Sequence, residues 1–253
     1  MIIIKTADEL KLLRKKFIEA KKDVGFVPTM GALHSGHKSL FQKSLVENDV
    51  TIVSIFVNST QFNDRSDYAN YPINIEKDVE ILEQSGVDVL FLPNYEVIYP
   101  DNYNYRINEY LFSKTLCGRT REGHFEGVLT VVMKLLNIVN PKRAYFGEKD
   151  YQQYLLIKNM CQSFFLDVDI IKCPTVREVD GLAMSSRNLL LTKQERETAP
   201  HFYKILSQPY TIKKTEEELV NFGFIIDYIE DLHNRRFGAV YLGKVRLIDN
   251  VKL

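Results

Sequence analysis

The sequence predicts an α/β protein, a doubly wound parallel sheet followed by a second, smaller α+β C-terminal domain. Short apolar runs alternate with segments of helical periodicity through about residue 174. That order is expected of a parallel sheet with right-handed crossovers. Val50 to Val57 is a continuous, largely apolar run, the signature of a strand buried on both faces. Polar clusters at 30–37, 58–61 and 147–153 fall just past strand ends, where such sheets bind ligands.

Met1 to Lys5 reads as the first strand. Thr6-Ala7-Asp8-Glu9 has the capping-box pattern, and Leu10, Leu13, Phe17 and Ala20 follow at helical spacing. A strand over Val24–Val27, a turn and a helix from Lys38 to Glu47 come next. Beyond the 50–57 strand lies a polar loop, 63–70. Pro72 suits the first turn of a helix that runs to Ser85 and stops at Gly86. Val87–Leu92 is a strand, and the aromatic stretch 95–110 carries no firm pattern. Phe125–Val139 has a wide apolar stripe and reads as a helix. Arg143–Phe146 is a strand, Gly147–Asp150 opens a helix through Cys161, and Val168–Ile171 is the last strand of the series. After Pro174 the texture changes. Residues 176–187 are polar and small, Thr192-Lys193-Gln194-Glu195 repeats the capping signal, and a weakly patterned region follows. Two strands, Gly238–Leu242 and Val245–Ile248, meet at Gly243-Lys244. The expected division is a domain over 1–175 and a lid domain over 176–253.

Composition narrows the partners. Lys plus Arg and Asp plus Glu both total 33, so no net charge draws the chain to nucleic acid or an anionic membrane. Its three cysteines form no CxxC pair, which argues against zinc and disulfide frameworks and fits a reducing cytoplasm. No apolar run approaches membrane-spanning length.

The chemistry concentrates at Pro28-Thr29-Met30-Gly31-Ala32-Leu33-His34-Ser35-Gly36-His37. Unpaired backbone N–H groups and the dipole at a helix start favour an anion. A spacing of three puts His34 and His37 on roughly one face, and Gly36 lets a ligand approach the backbone. The expectation is a phosphate site in which a charged imidazole donates to phosphate oxygens. Zinc fits less well, because no third ligand is local. Lys149 suits a phosphate as a point charge, while Asp150 alone reads equally as a residue favoured by the helix dipole. Asn58, Gln61 and Gln153 suit a small substrate with hydroxyl and carboxylate groups. Met184-Ser185-Ser186-Arg187 and the cationic turn Arg119-Thr120-Arg121-Glu122-Gly123-His124 each read alone as solvated segments. No GxxxxGKS/T, GxGxxG or GxSxG motif is present.

Six stretches together resemble the pantothenate synthetase (pantoate–β-alanine ligase) family of the class I nucleotidyltransferases. They are PTMGALHSGH at 28–37, SIFVNSTQF at 54–62, GHFEGVLTVVMKL at 123–135, FGEKDYQQ at 146–153, PTVREVDGLAMSSRN at 174–188 and RLIDN at 246–250. The resemblance implies a Rossmann-like fold and a two-step ligation. (R)-Pantoate and ATP would give pantoyl adenylate and pyrophosphate, and the amine of β-alanine would then displace AMP. It implies Mg²⁺ on the ATP phosphates without direct protein ligands, and a cytoplasmic homodimer with no nucleic-acid or membrane partner.

By the same resemblance, Met30, Gly31, Ala32, Leu33, His34, Ser35, Gly36 and His37 would line the ATP site. Gly147, Glu148, Lys149, Asp150, Val176, Met184, Ser185, Ser186 and Arg187 would complete it. Catalytic roles fall to His34, His37, Lys149 and Arg187, with His37 as proton donor. Asn58, Gln61 and Gln153 would hold pantoate, with Gln61 also near β-alanine, and Arg121 and Tyr71 match further substrate positions. Ser59, Ile73 and Glu122 depart from the proline, arginine and proline usual there. The alternative is another HxGH-type adenylyltransferase acting on a different small acid or phosphate ester.

Overall fold

The computed structural model describes residues 1–63 and 65–253. Strands β1 (Ile2–Ile4), β2 (Val24–Thr29), β3 (Val50–Ile55), β4 (Val89–Phe91), β5 (Arg143–Gly147) and β6 (Asp169–Cys173) form one sheet in the order β1-β4-β3-β2-β5-β6. Every pairing in it is parallel. The chain moves outwards from β2 through β3 and β4, then returns to the other side of β2 through β5 and β6. The crevice beyond the carboxyl ends of β2 and β5 is therefore the topological switch point.

Alternate strand residues face opposite layers. Phe26, Ile52, Phe91 and Phe146 join a core shared with helices Ala7–Glu19, His124–Val139 and Tyr151–Ser163. Val27, Val53, Leu90 and Tyr145 pack on the other side, against helices Ser35–Glu47 and Ile75–Gln84. After β6 the chain builds a three-stranded antiparallel sheet from β7 (Ile225–Leu232), β8 (Arg235–Leu242) and β9 (Val245–Lys252). Leu182, Phe202, Leu206, Leu219 and Leu247 gather in its separate core.

Several boundaries differ from the sequence expectation. The helix expected from Lys38 begins at Ser35, because His34 itself caps it. Pro72 lies outside the next helix. Asn74 is its N-cap, accepting from Lys77 N at 3.0 Å, and the helix ends at Gln84. The strand expected over 50–57 stops at Ile55, and the one expected over 168–171 runs from Asp169 to Cys173. The 63–70 loop contains a short helix, Arg65–Ala69, while Asp64 lies outside the described residues. Strand β7 escaped the sequence reading because a bulge between Ile226 and Tyr228 breaks its two-residue period. β8 begins at Arg235 rather than Gly238; Arg235 and Arg236 are buried by pairing with Glu148 and Asp231. Among the described residues, no helix is long and apolar enough to cross a membrane.

Candidate active site

The turn after β2 closes on itself. Gly31 and Ala32 take φ values of +83° and +50°, a region that disfavours a side chain at the second of them. A buried carboxylate holds them there. Asp78, 2% exposed on helix Ile75–Gln84, accepts from Ala32 N at 2.8 Å and from Leu33 N at 2.7 Å. Gly31 N donates to Thr29 Oγ1 at 3.2 Å. A Cβ at Gly31 would lie 2.9 Å from the Asp78 carboxylate. Burial raises the Asp78 pKa, with the two amide donors opposing it.

This corrects the expectation of a turn whose free backbone N–H groups bind the anion. The amides of Gly31, Ala32, Leu33, His34 and Gly36 all have acceptors inside the protein. These five amides are not free for a ligand, which leaves the side chains as the main donors.

The two histidines supply them. His34 Nδ1 accepts from Gly36 N at 3.1 Å, and His37 Nδ1 accepts from His34 N at 3.3 Å. Each ring therefore has a bare Nδ1 and carries its proton on Nε2. The ring centroids are 4.1 Å apart, tilted by 36°. Burial first, then Lys149, lowers the His34 pKa to about 4; burial, then His34 and Lys149, lowers that of His37 to about 3. Both imidazoles are neutral at pH 7 in the ligand-free protein, where a charged imidazole was expected. Protonation would put hydrogen on nitrogens that already face amide donors. Gly36 also has a second reason to be glycine, since a Cβ there would lie 2.8 Å from the His34 ring.

Across the crevice, Gly147 ends β5 and Glu148–Asp150 makes one 3₁₀ turn. Lys149 Nζ lies 3.7 Å from Asp150. Asn250, in β9, donates to the carbonyls of both Glu148 and Lys149 at 2.9 Å. The Glu148 carboxylate pairs with Lys172 at 2.8 Å and Arg235 at 2.5 Å. The RLIDN stretch thus fixes the far wall of the crevice by clamping its backbone.

Asn58 is 1% exposed, and all its amide atoms are engaged. It donates to Gln61 Oε1 and Gly127 O and accepts from Thr60 and Tyr99. Gln61 is left with its Nε2 against Met30 Sδ at 3.0 Å.

The 176–187 arm doubles back, with Arg177 bridged to Ala183 and Met184 N donating to Val176 O at 3.0 Å. Ser186 Oγ donates to Ala32 O at 3.3 Å, touching the first wall. Arg187 pairs with Asp67 at 2.8 Å, its guanidinium 5.9 Å from the Tyr71 ring.

One cavity of about 230 Å³ is lined by Met30, His34, Gly36, His37, Asn58, Gln61, Tyr71, Gly147, Lys149, Asp150, Gln153, Val176, Met184, Ser185, Ser186 and Arg187, among others. A second, of about 500 Å³, shares Met30, Gln61, Lys149, Asp150, Gln153, Ser185 and Arg187 with it and adds Arg121. The sequence-predicted residues Gly31, Ala32, Leu33, Ser35 and Glu148 line neither. They shape the walls from behind. Asp78 and Asn250 went unnoticed in the sequence. Asp78 did leave a signal, because it sits in the 75, 79, 82 apolar stripe of its helix, where a lone carboxylate needs partners.

A switch-point crevice with two neutral, oriented imidazoles on one wall, a lysine on the other and amides lining the same cavity defines an α/β enzyme site suited to anionic substrates. The model of the pantoate-beta-alanine ligase family matches residues 2–252. Pantothenate synthetase of Bdellovibrio bacteriovorus is 49% identical over 251 residues, 99% of each chain. That of Coxiella burnetii is 45% identical over 98% of this chain and 96% of its own. The structure of pantoate-beta-alanine ligase from Francisella tularensis, complexed with beta-gamma ATP and β-alanine, superposes with a TM-score of 0.95 at 47% identity, covering 100% and 97% of the two chains. Pantothenate synthetase from Thermus thermophilus gives 0.92 at 38% identity, covering 100% and 99%. This chain belongs to the pantoate–β-alanine ligase family, and it is a ligase.

Proposed function

We propose that the chain condenses (R)-pantoate with β-alanine to form pantothenate, consuming ATP and releasing AMP and pyrophosphate. The observation that carries this reading is a pair of Nε2-protonated imidazoles lining one cavity with Lys149, Gln61 and Gln153. A carboxylate is a poor acyl donor, so its oxygen must first become part of a leaving group. A pantoate oxygen attacks the α-phosphorus and the bond to the β-phosphate oxygen breaks. Charge then grows on pyrophosphate, where His34, His37 and Lys149 donate hydrogen bonds without surrendering a proton. Pyrophosphate leaves as a weak base, so His37 works as a neutral donor. In the second step the amine of β-alanine forms the C–N bond at the acyl carbon, and AMP departs with the electron pair of the C–O bond.

Arg187 and Ser185 would close on the phosphates from the arm, and Asp150 would lie towards the ribose. Gln61 and Gln153 would bind pantoate, with Asn58 holding Gln61 in place. Asp150 is the one carboxylate among the residues lining the smaller cavity. That donor set suits a Mg²⁺ held mainly by phosphate oxygens, which would neutralise charge there. The same reading makes residues 1–175 and 176–253 two domains, the second a lid, in a cytoplasmic homodimer; sedimentation velocity checks the assembly.

An assay of AMP formation that omits ATP, pantoate and β-alanine in turn tests the reaction. AMP should appear only with all three, and labelled pyrophosphate should exchange into ATP with pantoate alone. Pyrophosphate release that needs no pantoate would overturn the reading.

A further inference from the structure

Both cavities are lined by Gln61, the last residue of the 3₁₀ turn Ser59–Gln61. An amide side chain presents either its oxygen or its NH₂ group to a ligand. Which of the two faces the cavity here is decided by groups behind it. Gly127 lets helix His124–Val139 lie against the turn, since a Cβ there would come 2.5 Å from Thr60 O and 2.8 Å from Gln61 Cα. Its carbonyl lies 3.2 Å from Asn58 Nδ2. A carbonyl only accepts, so Asn58 turns its NH₂ group towards it. The same NH₂ group donates to Gln61 Oε1 at 3.1 Å. Gln61 is thereby obliged to aim its own NH₂ group at the cavity, where Nε2 meets Met30 Sδ at 3.0 Å.

Asn58 Oδ1 is left facing two hydroxyls. Tyr99 Oη donates to it at 2.8 Å and Thr60 Oγ1 at 3.0 Å. Tyr99 and Thr60 line neither cavity. Tyr99 is 1% exposed, and its ring packs against Phe56, Tyr95 and Tyr103 with centroids 6.2, 4.8 and 5.2 Å away. Burial raises the pKa of the phenol, so the hydroxyl keeps its proton and stays a donor. A phenylalanine would fill the same space. What the hydroxyl adds is the bond to Asn58.

We propose that Tyr99 is a positioning residue for the acid substrate: its hydroxyl, acting through Asn58, holds Gln61 with hydrogen-bond donors towards the cavity, so this part of the site selects a substrate oxygen. The proposal rests on the ligase reading, which sets pantoate against Gln61, and it names what fixes the polarity of that amide. Gly127 sets the sense of the relay, because a flipped Asn58 would put its oxygen against a carbonyl oxygen. Tyr99 and Thr60 anchor the far end. A Gln61 turned the other way would meet a carboxylate or hydroxyl oxygen with a lone pair instead of a proton.

Steady-state kinetics on a double-mutant cycle tests the relay. Tyr99→Phe keeps the ring and removes the donor. It should raise the KM for pantoate about three- to tenfold, the size of one lost hydrogen bond, and that for ATP less than about twofold. In an Asn58→Ala background the same substitution should change the pantoate KM less than about twofold, because the link it works through is gone. Thr60→Val, which removes the other donor to Asn58 Oδ1, should show the same split at smaller size. Gln61→Glu, which puts an acceptor where the donors were, should raise the pantoate KM more than Gln61→Met, which only deletes them. A Tyr99→Phe effect of equal size in both backgrounds would overturn the proposal, as would lowered stability in urea with the pantoate KM unchanged. A smaller effect of Gln61→Glu than of Gln61→Met would overturn it too, whether or not Tyr99→Phe folds. Absence of pantoate-dependent pyrophosphate exchange in the unaltered enzyme would overturn the ligase reading first, and the proposal with it.

Discussion

The 30–37 turn and the 176–187 arm face the same cavity, yet different forces hold them. The turn is fixed by hydrogen bonds that the amides of Gly31, Ala32, Leu33, His34 and Gly36 find within a few residues or at Asp78. The arm and its neighbours are held by ion pairs over long sequence separations: Arg177–Asp249 at 2.6 Å, Arg187–Asp67 at 2.8 Å and Arg196–Asp180 at 2.6 Å. Hydrogen bonds to a buried carboxylate have short reach and steep geometry, so the turn keeps its shape without a ligand. Partly exposed ion pairs are worth little singly, about 0–1 kcal/mol each, and tolerate displacement. Of the two walls, the turn is held by the steeper potential.

The strongest way to break this comparison is at His37. His37→Ala should slow pantoate-dependent pyrophosphate exchange about a hundred- to a thousandfold. Urea unfolding should show a loss of only about 0.5–2 kcal/mol, the scale of a lost helix cap. A large stability loss with exchange intact would reduce His37 to a capping residue. Asp78→Ala comes next, because two backbone amides lose a charged acceptor. It should cost about 2–4 kcal/mol in unfolding free energy, and unchanged stability would show that the turn holds itself.

Asp249→Asn probes the other wall. Its carboxylate is 2% exposed but Arg177 is 20% exposed, so the expected loss is about 1–2 kcal/mol. High salt should shrink that loss and leave the Asp78→Ala loss in place. The smallest effect is that of a half-unit drop in pH on stability. His34 and His37 titrate near 4 and 3 in the folded chain and near 6.5 when unfolded. Below pH 6.5 the unfolded chain takes up protons that the native turn refuses, so stability falls as pH drops towards 4. Between pH 7 and 6.5 the loss should be about 0.5 kcal/mol. Denaturation curves over that range should flatten in a His34→Asn, His37→Asn double variant, and stability rising towards acid would refute the neutral imidazoles.

The sequence revealed the parallel sheet because its strands are buried on both faces and so are apolar without regard to partner. It revealed His34, His37, Lys149 and the amides because each follows a strand end, and the order of strands brings those ends to one crevice. It did not reveal Asp78, Asn250 or the bond from Tyr99 to Asn58. Each acts through a partner across the fold, and nothing local distinguishes it from a solvated polar residue. Strand β7 was hidden by its bulge and the start of β8 by two arginines whose burial makes sense only beside Glu148 and Asp231.

The protonation of the histidines belongs to the same class. The residues and their spacing are local facts, and they pointed to this turn as a candidate anion site. Whether its rings are charged or neutral was decided by tertiary structure. Packing around the turn removes water, Lys149 arrives from another strand end, and each Nδ1 is already taken by a backbone amide. Desolvation and cationic neighbours are properties of the assembled site, so no stretch of sequence carries them.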